Sequence, residues 1–149
     1  MPFRFRLESV LSIKSAFEEK ALNELAVLNV ALERMKMKLR ELEVTKSDFV
    51  RKQAEQRNVG RTDLERILAE TLYLEVLDAE LQTTKQVLRS QRVAVRSKRE
   101  EALKMSRERQ ILEKLKEKHR ARYEKDADRK EATQADELFL SRRSIEKPD

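Results

Sequence analysis

Gln56-Arg57-Asn58-Val59-Gly60-Arg61-Thr62-Asp63-Leu64-Glu65 is the one turn-like stretch in the chain, and its reading decides the fold. Asn58 and Gly60 tolerate the left-handed backbone that ends a helix. Thr62 to Glu65 has the spacing of a capping box, in which the Thr62 hydroxyl accepts the Glu65 amide proton and the Glu65 carboxylate reaches back. A stop signal therefore lies beside a start signal, which predicts a hairpin of two helices.

On either side the apolar residues keep a heptad rhythm. Leu25, Leu28, Leu32, Met35, Leu39, Leu42, Lys46 and Phe49 follow at alternating steps of three and four, one stripe along a left-handed supercoiling helix. Upstream, the stripe is expected to continue through Val10, Phe17 and Ala21. The second seam is Leu74, Leu77, Leu81, Thr84, Leu88, Gln91, Val95, Lys98, Ala102, Met105, Arg109 and Leu112. The fold class is all-α, a two-helix antiparallel coiled-coil hairpin forming a single domain over residues 1–149. Helices are expected at about 5–56 and 63–140, with a turn at 57–62 and a solvated tail at 141–149. Pivoting on Gly60, residue i faces roughly residue 120−i, which sets Phe49 near Leu72, Leu42 near Leu77 and Asp78, and Leu25 near Val95. Beyond about Glu117 the second helix has no expected partner in the chain.

Composition agrees. Of 149 residues 42% are charged and 5% aromatic, with one glycine, two prolines and no cysteine. Such a chain lacks the turn formers of a globule and has the profile of long helices. Without cysteine there is no disulfide or thiolate chemistry, which fits a reducing compartment. No apolar run approaches the ~20 residues that cross a bilayer, and charges interrupt the N-terminal apolar residues where a signal peptide is continuous. The expectation is a cytoplasmic protein without direct membrane insertion.

The net charge of +6 is uneven. Residues 1–88 balance at 15 basic and 15 acidic, 89–130 carry 16 basic and 8 acidic, and 131–149 carry 3 basic and 5 acidic. The basic segment raises the question of nucleic acid. Interleaved acids at pairing distance (Glu100 with Lys104, Glu113 with Lys116, Glu117 with Arg120) and one aromatic, Tyr123, favour an acidic protein surface as the partner instead.

No catalytic constellation is present. His119 is the only histidine and reads as an exposed helical residue in a basic run. One glycine cannot build a phosphate-cradling loop. No cofactor or metal is expected, and the chain reads as a non-enzyme. Phe49 and Tyr73 are bulky rings close to the turn, where two helices offer little interior; they are candidate partner anchors.

The opening Phe3-Arg4-Phe5-Arg6-Leu7-Glu8-Ser9-Val10-Leu11 resembles the start of the flagellar FliJ family, with its alternating Phe and basic residues and Leu-x-x-Val-Leu run. Glu18-Glu19, Glu24-Leu25-Ala26, Leu112 to Lys118, Tyr123, Arg129, Gln134, Asp136 and Glu137 extend the likeness along the chain. The resemblance implies a soluble component of the flagellar type III export apparatus, a stalk-like coiled coil whose terminal end enters the hexameric ring of the export ATPase. It implies a second contact with the membrane export gate and a third with chaperones of late export substrates. The protein is then peripherally associated with the inner face of the cell membrane at the flagellar base. Leu42, Phe49, Tyr73 and Leu77 match the gate-binding positions, although Thr45 stands where an aromatic is sometimes found. Phe3, Phe5, Leu7, Val10 and Leu11 are the implied ring-facing residues. The equivalent stalk of a virulence secretion system, a nucleic-acid-binding coiled coil and a purely structural coiled coil are the alternatives.

Overall fold

The computed structural model describes residues 2–59 and 63–146. It contains α1 (Glu8–Val59, 52 residues) and α2 (Leu64–Ile145, 82 residues). No glycine or proline falls inside either helix, so nothing along their length breaks the hydrogen-bond ladder. Their ends carry the charges that helix dipoles favour: Glu8 and Glu65 in the first turns, Arg57 and Arg142-Arg143 in the last.

The helix boundaries differ from the sequence expectation. Phe5 closes the entry to α1 by accepting from the Glu8 amide at 3.1 Å, so residues before Glu8 are not helical. Asn58 is helical and does not end α1; among the described residues no non-glycine has a positive φ. The Glu65 amide donates to Asp63 Oδ1 at 3.3 Å, and Ile67 donates to the Asp63 carbonyl at 3.1 Å. Asp63 is thus the N-cap of α2; Gly60 and Thr62 lie outside the described residues. α2 continues to Ile145, past the expected limit near residue 140, because no breaker interrupts it.

Contacts divide the chain into two compact units, Met1–Glu19 with Leu103–Asp149, and Lys20–Ala102. In the second unit the helices run antiparallel, and every seam residue from Leu25 to Phe49 and from Leu74 to Ala102 is buried or half-buried. Leu32, Leu88 and Val95 form the core cluster, with Leu25, Leu28, Met35 and Leu39 packed on it. Ala21 and Ala102 are buried too; side chains so small are covered only where helices approach closely. Within this seam Gln91 Oε1 is buried without a hydrogen-bond partner.

The first unit corrects the upstream seam. Val10 and Phe17 are exposed, whereas Leu7, Leu11, Lys14 and Glu18 face inward. The three-four alternation holds through charged positions because each charge is paired across the helices. Lys14 donates to Glu108 at 2.8 Å, and Arg109 binds Glu18 while reaching Glu113 at 2.7 Å. Pairing also extends beyond Glu117: Phe5 meets His119 and Phe3 meets Tyr123.

The facing rule is shifted. Lys14, Lys46 and Gln53 meet Glu108, Asp78 and Glu70, two to four residues later than a Gly60 pivot places them. The reason is geometric. Helix ends at Val59 and Leu64 are symmetric about a point between residues 61 and 62.

Candidate functional site

Near the turn, in the unit Lys20–Ala102, Phe49 lies against Tyr73 with ring centroids 4.6 Å apart and planes at 58°. Phe49 is half-buried and Tyr73 is 42% exposed. Tyr73, not Leu72, is the ring's neighbour, and Leu72 points outward. Leu42 is half-buried, while Leu77 is only 5% exposed. The four residues singled out from the sequence thus divide: the two rings share one surface, and Leu77 is covered by the paired helices. The rings are framed by polar contacts between the helices, Lys46 to Asp78 at 2.5 Å, Gln53 to Glu70 at 2.9 Å, and Arg66 to Gln56.

A row of apolar residues that sequence reasoning missed lies beside Tyr73. Leu64, Leu68, Leu72 and Val76 are all largely exposed. Their strict four-residue spacing is the signal that was there to find, because residues i and i+4 stack on one side of a helix. Four exposed aliphatic side chains in line are an apolar feature of the kind that marks an interaction site.

In the unit Met1–Glu19 with Leu103–Asp149, the five implied ring-facing residues divide between covered and exposed positions. Phe5 is 7% exposed and sits edge-on to His119, with centroids 5.7 Å apart. His119 is accordingly half-buried and not an exposed bystander. Phe3 is half-buried on Tyr123 at 5.6 Å, Leu7 is half-buried and Leu11 is buried. Val10 alone of the five is exposed, and it shares a face with exposed Ile13 and Phe17 at heptad spacing. The alternating Phe-basic opening therefore puts aromatic rings on α2 and leaves Arg4 and Arg6 in solvent. On α2, every residue from 128 to 145 is exposed, including Leu138, Phe139, Leu140 and Ile145.

The basic segment is paired otherwise than its spacing suggested. Glu113 takes Arg109, Lys116 reaches Glu8 at 2.8 Å, and Arg120 meets Glu124 at 3.6 Å. Lys98 bridges Glu24 on α1 and Glu101 on its own helix. These bonds shift titration. The Lys98 ammonium holds Glu24 below the ordinary carboxylate value, and Glu24 and then Glu101 raise Lys98. Lys14 lowers Glu108, and Glu18 followed by Glu113 raises Arg109. Among the described residues no carboxylate or histidine cluster suits a metal ion, and no helix is long and apolar enough to cross a membrane.

Compared with known proteins, residues 3–148 match the family model described as flagellar FliJ protein. No curated protein and no solved structure matches the chain.

Proposed function

The chain belongs to the flagellar FliJ family, a component of flagellar protein export and not an enzyme family, and from that premise we propose that it is the central stalk of the export ATPase ring and an escort to the membrane export gate. One observation carries the reading. The stretch of α2 from 128 to 145 has no cover among the described residues, yet it holds Leu138, Phe139, Leu140 and Ile145. Most helical stability in proteins comes from packing of an apolar face, and such side chains are stabilised by a partner that surrounds them. A hexameric ring offers that enclosure, and the exposed row Val10, Ile13 and Phe17 of the same unit adds to the contact surface. The apolar strip Leu64, Leu68, Leu72 and Val76, with Tyr73 and Phe49, is the gate-docking surface. Leu42 is half-buried on α1, and Leu77 is covered in the seam between the helices. Late-substrate chaperones are the third partner class, and the protein works at the inner face of the membrane at the flagellar base. A stalk contributes binding energy and couples conformations without breaking bonds.

The test mixes the purified chain with the export ATPase and follows ring assembly by sedimentation and turnover by phosphate release. Expected are more hexamer and faster hydrolysis, both reduced by F139A/L140A. Unchanged assembly removes the stalk role. For the gate, Phe49→Ala and Tyr73→Ala are expected to weaken docking about thirtyfold or more, as anchor aromatics do at interfaces, while ATPase stimulation persists. Undiminished docking by both variants rejects the strip as the gate contact.

A further inference from the structure

α1 carries a second stripe, turned away from the seam that holds the unit Lys20–Ala102 together. Val27, Val30, Met37 and Val44 are each more than half exposed, Val27 at 70%. With Arg34 and Glu41 filling the remaining places, the steps are three, four, three, four and three, a heptad seam with nothing on it. At one end of the stripe Val27 borders an open groove between the helices, lined also by Asn23, Glu24, Leu28, Ala94, Ser97, Lys98 and Glu101. A neighbouring hollow is lined by Ala26, Val27, Val30, Ala31 and Arg34. Hollows between seam residues are where the side chains of an opposing helix insert.

We propose that this stripe pairs antiparallel with the same stripe of a second copy of the chain, layering Val27 on Val44, Val30 on Glu41 and Arg34 on Met37. Charge selects the occupant. Arg34 and Glu41 are of opposite sign, one heptad apart, and neither side chain has a partner among the described residues. Antiparallel layering sets each Arg34 one layer from the other copy's Glu41, which gives two symmetric pairs of opposite charge. Parallel layering stacks Arg34 on Arg34 and Glu41 on Glu41, which repels. The charges flanking the centre of the stripe are already neutralised within the chain, Glu33 by Lys36 at 3.0 Å and Lys38 by Glu80 at 3.6 Å. The contact is isologous and closes at two copies. With about 27 Å of helix and four apolar side chains per copy, it falls at the small end of specific interfaces. A dimer that forms in the micromolar range follows.

The experiment is sedimentation equilibrium of the full chain from about 1 to 100 µM, a span that brackets such an affinity. The unmodified chain is expected to pass from monomer to dimer. R34E and E41R are each expected to weaken dimerisation tenfold or more, and R34E/E41R to restore it; circular dichroism should be unchanged because both positions are exposed. The chain has no cysteine, so V27C/V44C is expected to oxidise to a covalent dimer, whereas V30C alone is not. An intrachain bridge is impossible for V27C/V44C, whose positions lie roughly 25 Å apart on one helix. A monomer throughout, failure of the double reversal to restore dimerisation, or cross-linking by V30C in place of V27C/V44C each overturns the proposal. These readouts need no ATPase or gate, so they stand or fall apart from the stalk role.

Discussion

Leu88→Ala tests whether burial along the seam, and not helix propensity, holds the unit Lys20–Ala102 together. Leu88 is 5% exposed and belongs to the cluster with Leu32 and Val95. The substitution removes three carbons from water-free surroundings, about 2.4 kcal/mol at roughly 0.8 kcal/mol per buried methylene. The cavity adds less than in a globule, since a two-helix seam is bordered by solvent and can close or fill. The total should therefore sit near the lower end of the ~2–5 kcal/mol range for buried leucines, about 2–3 kcal/mol. Alanine's better helix propensity returns only a few tenths of a kcal/mol. Val93→Ala is the control, because Val93 is 69% exposed on the same helix; its change should lie within about 0.5 kcal/mol. The assay is urea unfolding followed by circular dichroism. With an m-value of about 2 kcal/mol/M, Leu88→Ala should lower the midpoint of the transition that carries this unit by roughly 1 M. Equal midpoints for the two variants refute the packing account.

Phe5→Ala removes the ring set against His119, and amide exchange of residues 8–14 should accelerate at least tenfold while exchange around Leu88 is unchanged; an unaltered pattern means the opening segment is held by something other than its aromatics. Stability should also depend on pH at both ends of the scale. Glu24 and Glu108 are held below the ordinary glutamate value by Lys98 and Lys14, so their contribution is complete above about pH 4.3 and is lost as pH falls through their lowered values. Lys98 is raised by Glu24 and Glu101, so its contribution is present below about pH 10.4 and is lost as pH rises through its raised value. Thermal melting of Glu24→Gln and Glu108→Gln compared with the unmodified chain checks the acid limb, which should flatten; an identical limb in every chain excludes these pairs as its source.

The seams were legible because a strict three-four alternation survives even where the residue is polar. Thr84, Lys98 and Arg109 were placed correctly on α2 by rhythm alone. The error on α1 came from letting hydrophobicity overrule that rhythm. Val10 and Phe17 are apolar and were read into the seam, yet Leu11, Lys14 and Glu18 occupy it, since a charge with a partner across the interface can be half-buried there. The rings near the turn were found by their bulk, while the Leu64–Val76 row escaped because its four-residue spacing drifts away from the seam. Partners of the basic residues were not legible: an (i, i+3) or (i, i+4) rule sees one helix, and Lys116 found Glu8 on the other.

That exchange of partners bears on specificity. A run of leucines packs nearly as well after a seven-residue slip, since the heptad maps onto itself. The charged seam positions do not. In the unit Met1–Glu19 with Leu103–Asp149, Arg109 meets Glu18; a slip of one heptad sets it against Leu11. In the unit Lys20–Ala102, Lys98 meets Glu24 and Lys46 meets Asp78; the same slip sets Lys98 against Phe17 or Ala31, and Lys46 against Thr71 or Lys85. Each alternative takes a half-buried charge from its partner and sets it on an apolar side chain, on a hydroxyl or on a like charge, which favours the observed register. The pairs themselves need contribute little net stability, because their effect lies in the difference between registers. Only the observed register brings Phe49 to Tyr73 in one unit and Phe5 to His119 in the other. The basic and acidic residues that look like the dress of an exposed helix are therefore what fixes which aromatic side chains meet, and so which surface a partner finds.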